Sequence, residues 1–440
     1  MKLILQAQKL QRALNIAREV VTKTLDPSIP LSQHVLLDFT NPGEIVFLAG
    51  DKEINHSVIV TVDPETGESV EFPDSFIVNT QRGRVKQVSV SCISFVDAVT
   101  GLNGQTLVKL HFDKVPKEGE LTYANLTYET TAVRVEASNG QGYALLKENL
   151  KEAVNTSTLR LPERILKDII QSTLFCVSLK ASKHASLHTL IFSLTPTMLK
   201  IFGGDYARIA LCNYTFPEGS DPYTINGFKN FSEEVPLIFN LSRRTGAELQ
   251  RLLSTDNKEV ELIMHLTVSG HVQYLQILKD GEELIFNLTY SKPPQYSHII
   301  PEVFDNDVVC YALELKDKLT RSTRFGEIIL LNSGNGALTL SASNPGTLDS
   351  FSTELNDIEL NPERQPLNLR VQGKHFIELI TPLQESAKYR QQPQDELKLS
   401  LNFVVKKVPV FAVKEISNSE LDRTYILTPY NNVAVDTSND

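Results

Sequence analysis

Two histidines four residues apart, His184 and His188, have a spacing that could bring two imidazoles to one metal ion. The segment around them reads as a loop leading into a strand, and no metal site is expected there. A Gly-Asp pair occurs twice, at Gly50-Asp51 and Gly204-Asp205, and two carboxylates could share general acid-base work. Tight-turn chemistry accounts for the repeat better, because glycine and aspartate are what such turns select. The chain has no phosphate-cradling glycine loop, no dinucleotide fingerprint, no paired-histidine zinc helix and no nucleophile elbow. The four cysteines, Cys92, Cys176, Cys212 and Cys310, lie far apart within apolar runs and read as buried thiols. Sequons at Asn125, Asn213 and Asn287 act only in a secretory pathway, toward which nothing directs this chain. The expectation is a binding protein that is not an enzyme and has no catalytic residue, metal or cofactor.

The chemistry that remains is electrostatic. A net charge of −10 speaks at first against a nucleic-acid partner, but the cations are gathered on the amphipathic segments. Lys9, Arg12, Arg18 and Lys23 against Glu19 give residues 7–23 a charge of +3. Arg243, Arg244 and Arg251 against Glu248 give 242–254 a charge of +2, and Lys316, Lys318, Arg321 and Arg324 against Glu314 and Asp317 give 313–324 the same. In 162–173, Arg164 and Lys167 balance Glu163 and Asp168; 374–388 is also neutral, and 91–101 carries −1 through Asp97. The six segments total +6, which leaves −16 for the rest. Basic helix faces on an acidic protein suit contact with phosphates on one surface and repulsion from the others.

The elements that carry these charges recur. Three times an amphipathic helix is followed by a β-rich run and a strand ending in a small-residue turn: Phe47-Leu-Ala-Gly50-Asp51, Ile201-Phe-Gly-Gly204-Asp205 and Leu340-Ser-Ala-Ser343-Asn344. Apolar stripes at helical spacing open the repeats: Leu10, Ala13, Leu14, Ala17 and Val21; Ile165, Leu166, Ile169 and Ile170; Tyr311, Leu315 and Leu319. Second helices are expected near 92–100, 242–253 and 374–383, the last ending near Pro382 because proline cannot donate the intrahelical bond. Leu107–Phe112, Val260–Leu266 and Leu397–Val405 alternate as strands do. The expected architecture is α+β: three tandem domains, 1–150, 157–292 and 302–440, each built of two β-α-β-β-β halves. Pro64–Lys86 and Lys114–Glu120 read as loop insertions in the first domain. No apolar run is long enough to span a membrane, so a cytoplasmic protein is expected.

With these motifs in order, the chain resembles the beta sliding clamp of bacterial DNA polymerase III over essentially its whole length. The opening MKLILQAQKLQRALNIAREVV and Ile29-Pro30-Leu31 look like that family's first helix and strand entry. Leu187-His-Thr-Leu-Ile-Phe192 followed by Gly204-Asp205-Tyr206-Ala207-Arg208-Ile209-Ala210 is similar to its Thr-Asp-Gly-His-Arg-Leu-Ala. Pro294-Gln-Tyr296 through Pro301 and Tyr425-Ile-Leu-Thr-Pro429-Tyr430 resemble its linker and its C-terminal Tyr-Val-x-Met-Pro-Met. The resemblance implies a head-to-tail homodimeric ring, with helices inside and sheets outside, around duplex DNA. Lys9, Arg12, Arg18, Lys23, Arg164, Lys167, Arg243, Arg244, Arg251, Lys316, Arg321 and Arg324 would face the DNA. It further implies that a DNA polymerase, a clamp loader and repair proteins dock by short peptides in a pocket of Leu187, Gly204, Arg208, Ile209, Pro294, Ile299, Ile426, Leu427, Thr428 and Pro429. Tyr206-Ala207 stands where the family has Gly-His and Thr428 where it has methionine, and a polar tail runs on to Asp440. A multi-domain β-rich adhesion protein and a degenerate plasmid- or virus-borne clamp paralogue are the alternatives.

Overall fold

The computed structural model describes residues 1–21, 32–80, 83–114, 116, 120–140, 143, 145–178, 185–291, 308–334, 336–344, 346–347, 349–361, 363–390, 393–405, 409–416 and 420–429. Lys23, Ile29, Pro30, His184, Pro294, Ile299, Asn335 and the tail from Tyr430 onward lie outside them. The helices of the described residues are α1 (Ala7–Val20), α2 (Cys92–Val99), a short α3 (Leu146–Asn149), α4 (Glu163–Leu174), α5 (Arg243–Leu252), α6 (Ala312–Ser322) and α7 (Gly373–Tyr389). Every helix except α3 is preceded by one strand and followed by three, so the chain passes six times through the expected β-α-β-β-β motif.

The residues divide into two compact units: 1–160 with 223–227 and 260–288, and 161–222 with 228–259 and 289–440. In the first unit, all but two short strands, Val78–Thr80 and Gly83–Val85, form one antiparallel sheet. Within it, Ile54–Thr61 and Glu282–Asn287 join two motifs, with Leu284 opposite His56 and Ile285 opposite Asn55. α1 lies on one face, burying Leu10, Ala13, Leu14 and Ala17 as its periodicity requires. In the second unit a nine-stranded sheet contains the corresponding junction, Arg208–Thr215 against Leu421–Leu427. Two glycines admit the helix that crosses it. A Cβ at Gly203 would stand 2.5 Å from the Thr173 carbonyl of α4, and one on Gly246 of α5 would meet Leu174 at 3.0 Å.

The repeated turns are Asx turns. The Asp51 carboxylate accepts from the Glu53 and Ile54 amides at 2.8 and 3.1 Å, and Asp205 accepts from Ala207 and Arg208, both at 2.8 Å. Asn344 repeats the device on Gly346 at 2.9 Å. The four cysteines are buried and unbonded to one another, as expected. The paired strands Ile328–Gly334 and Ala337–Ser343 form a hairpin, with Gly336 at φ +81°.

Two expectations need correction. α7 does not end near Pro382 but continues to Tyr389. The residues past the proline supply the reason: Leu383, Ser386 and Ala387 are fully buried, and that packing offsets the one missing hydrogen bond. The Pro64–Lys86 insertion is not only loop. Ser69–Glu71 adds a strand to the edge of Lys2–Gln6, and Phe76 packs edge-on against Phe72 and Phe112. Comparable short strands, Tyr223–Thr224 and Ile358–Leu360, cap the first strands of the other two repeats.

Candidate nucleic-acid interface and partner cleft

The cationic residues named from sequence fall into two groups once their partners are visible. Lys9 Nζ is 2.7 Å from the buried Glu68 carboxylate and 2.8 Å from the Thr61 carbonyl. Burial works against ionisation of Glu68, but Lys9 and the Gln6 and Asp63 amides hold its carboxyl below the usual range. Lys167 Nζ caps the end of α5 at the Leu253 carbonyl, 2.7 Å away. Arg164 bonds Asn257 at 3.0 Å and Glu420 at 2.6 Å, Arg243 donates to the Val177 carbonyl, and Lys316 bonds Gln384 at 2.8 Å. Desolvation lowers the pKa of both Arg243 and Lys316. These side chains are largely committed to the protein.

The second group points outward. Arg12 is exposed and touches Glu282 only at 3.5 Å; Arg18 and Arg324 are exposed, and Arg321 pairs with Asp317 one turn away at 2.8 Å. Arg251 pairs with Glu248 at 2.6 Å on α5, and Arg244 is half-buried there. Exposed one-turn pairs on a helix are weak, about 0.3–0.5 kcal/mol, so Arg321 can exchange Asp317 for a phosphate.

Of the residues named for a peptide pocket, Gly204, Arg208, Ile209, Ile426, Leu427 and Thr428 lie at the second unit's junction, while Pro294 and Ile299 fall outside the described residues. Arg208 stands opposite Leu427 and Ile209 opposite Ile426, with Gly204 opposite Ile209 on the next strand and the Thr428 amide donating to the Ala207 carbonyl at 2.9 Å. Strand alternation splits the set between two faces. Arg208 and Leu427 turn toward the helices. Leu427 is buried in the main core, and the Arg208 guanidinium is ringed by Asp205 at 2.7 Å, by Glu378 and by the Phe175 ring at 5.9 Å. Burial opposes the Arg208 charge, yet hydrogen bonding to Asp205 overrides it and keeps the group protonated.

Ile209 and Ile426 turn to the other face, where Ile426 packs with Val410 and Ala412, while Ile209 bridges that group to Ile191, Phe202 and Leu211. Thr428 is exposed at its end, Pro429 is half-buried, and Tyr206 stands out from the Asp205 turn with 70% of its surface exposed. Leu187 lies half-buried in a short 3-10 turn, its carbonyl accepting from Ser178 at 2.9 Å. Sequence reasoning missed Asp205, Glu378 and Phe175 as the residues that hold Arg208; no local pattern links position 208 to a partner 170 residues away.

No family model matches the sequence, and no curated protein sequence matches it. Solved structures do. A chain of six such motifs with this strand order has the sliding-clamp fold. The DNA polymerase III beta subunit fold in particular is matched by a DnaN sliding clamp from Pseudomonas aeruginosa bound to griselimycin, at TM-score 0.74 and 15% identity over 98% of this chain and all of that one. The sliding clamp of Bacillus subtilis matches at 0.73 and 13% identity, and the beta subunit of Thermotoga maritima at 0.71 and 15%, each covering 98% of this chain and 99% of its own. Among the described residues, no helix is long and apolar enough to cross a membrane.

Proposed function

We propose that the protein is a DNA sliding clamp: two copies close head to tail around duplex DNA and tether a DNA polymerase, with a clamp loader and repair proteins as further partners. It acts without catalysing a reaction. Three domains, 1–150, 157–292 and 302–440, would contribute six motifs per copy. The observation that carries this reading is a pattern of strand edges. In two places the last strand of a first half pairs with the last strand of a second half: Ile54–Thr61 with Glu282–Asn287, and Arg208–Thr215 with Leu421–Leu427. The remaining first half ends in Ser350–Leu355, which closes its four-stranded sheet with no partner on its outer side among the described residues. The remaining second half ends in Thr131–Ser138, of which, among the described residues, only Ala137 and Ser138 are paired beyond the hairpin.

Open edges of this length invite pairing with another chain, and a second copy supplies the matching one twice over, giving a closed twofold assembly. The exposed cations Arg12, Arg18, Arg321 and Arg324 would then meet phosphates without reading sequence. Retention would come from linkage, so individual contacts can stay weak. Sedimentation tests closure: the expected mass is twice 49.2 kDa. Aspartate placed on both edges, Val133→Asp with Thr353→Asp, should yield monomers, because like charges across a strand pair destabilise it. A doubly substituted protein that stays dimeric would reject this junction.

The candidate cleft supports peptide docking on the outer face of the Ile209–Ile426 pair. Two aliphatic anchors buried there at about 25 cal/mol per Å2, less ordering costs, correspond to micromolar affinity. Tyr206 and Thr428 at its rim replace glycine and a flexible methionine, which favours a narrower range of peptides.

A further inference from the structure

The side of Leu421–Leu427 that faces the helices carries Leu421, Arg423, Tyr425 and Leu427. One member of that otherwise apolar row is a fully buried arginine. Its guanidinium meets Glu415 on the neighbouring strand Pro409–Glu415, Asp168 on α4 and, at 2.9 Å, the Ser386 hydroxyl on α7. Arg390, just past α7, takes the other oxygen of Glu415 at 2.8 Å. The side chains of Asp168 and Glu415 are 1% and 0% exposed. Two acids and two arginines thus neutralise one another away from water.

A buried ionic group of this kind gives no more stability than apolar packing would, and its best-attested use is to specify register. The geometry here fits that use. A slip of one residue between Arg208–Thr215 and Leu421–Leu427 would turn Arg423 to the outer face and bring Asp422 and Thr424 inward. A slip of two would keep the face but carry the guanidinium about 7 Å along the strand, out of reach of anchors on three separate elements. Apolar residues alone resist such a slip poorly, since Leu421, Tyr425 and Leu427 can exchange places in a greasy layer. What the register fixes on the opposite face is the pairing of Ile209 with Ile426 and the bond from the Thr428 amide to Ala207.

We infer that Arg423, held by Asp168, Glu415 and Ser386, is a registry lock for this strand junction and so a positioning residue for the cleft of Ile209 and Ile426. The lock stands on the geometry alone, and its consequence for peptides rests on the proposed cleft. Disulfide trapping reads the register directly. Asn213 lies opposite Asp422 on the outer face, and Thr424 lies two residues along the same face. With Arg423 in place, Asn213→Cys should cross-link with Asp422→Cys and not with Thr424→Cys. Arg423→Met should raise trapping of the second pair about tenfold, the scale of losing charge-assisted hydrogen bonds, and Arg423→Lys should restore part of the original preference. Calorimetric titration of a generic clamp-binding peptide should weaken in the same order. If Arg423→Met does not fold, Asp168→Asn, which keeps the shape and removes one charge, should shift trapping in the same direction. Trapping confined to the 213–422 pair in both variants would overturn the lock. A shifted register with unchanged peptide affinity would overturn the cleft and leave the lock standing.

Discussion

The two strand junctions described above do the same topological work with different chemistry beneath them. At Ile54–Thr61 against Glu282–Asn287, the helix-facing charge is Glu282, which retains 14% side-chain exposure and takes His56 at 3.0 Å and Arg12 at 3.5 Å. At Arg208–Thr215 against Leu421–Leu427, Arg208 at one end keeps 13% exposure, but the charges gathered around Arg423, with Asp168 and Glu415, are none more than 1% exposed. The Glu282 group of the first junction is open to solvent; the Arg423 group of the second is sealed. Equivalent topology therefore does not imply equivalent response to pH, salt or substitution.

The largest effect separating the two should come from Arg423→Ala. Leaving Asp168 and Glu415 buried without their cation should cost about 3–5 kcal/mol, read as a lowered urea midpoint in the second unit, whereas Arg12→Ala at the first junction should cost about 0.2–1 kcal/mol. Equal losses would erase the distinction. A smaller contrast is in pH dependence. Burial opposes ionisation of Glu282, but His56 and Arg12 more than offset it and hold its pKa below the ordinary 4.5. A depressed carboxyl contributes stability that is present above its unfolded value and lost as pH falls through the folded one. Protection of the amides at 54–61 and 282–287 against hydrogen exchange, relative to their intrinsic rates, should therefore fall below about pH 4.5, and Glu282→Gln should remove that acid sensitivity. Acid exchange that is unchanged by the substitution would assign the effect elsewhere.

The smallest effects concern single cations. Arg18→Ala, Arg321→Ala and Arg324→Ala should each reduce the logarithmic salt slope of DNA association by about 0.9. Lys9→Ala and Lys167→Ala should leave the slope unchanged and lower stability instead, because Lys9 serves Glu68 and Lys167 caps α5. Slopes that fall equally for all five would show that the internal bonds give way to phosphate.

Much of this was legible in the sequence because it is local. The 3.6-residue stripes placed the long helices, and the Gly-Asp pairs marked turns in which a carboxylate folds back on amides two or three residues away. Pro382 misled because a helix-breaking rule weighs one lost hydrogen bond and not the burial of Leu383, Ser386 and Ala387 beyond it. Charge could be assigned to helix faces from spacing, but not its employment: Glu68 lies 59 residues from Lys9, and nothing in either neighbourhood announces the other. The cleft was named as one set, and alternation sends Leu427 and Arg208 to the helix side while Ile209 and Ile426 go to the other. That parity was readable in Tyr425-Ile-Leu once the strand was known. Arg423 was the least legible residue of all, a charge in an apolar row whose anchor at Asp168 lies 255 residues away.

The most direct test of the central claim is retention on DNA of defined topology. Protein loaded onto nicked circular duplex should stay bound through gel filtration at high salt, and linearising the circle with a restriction enzyme should release it. Equal retention on circular and linear DNA, or none on either after loading, would contradict a ring that holds its substrate by encirclement.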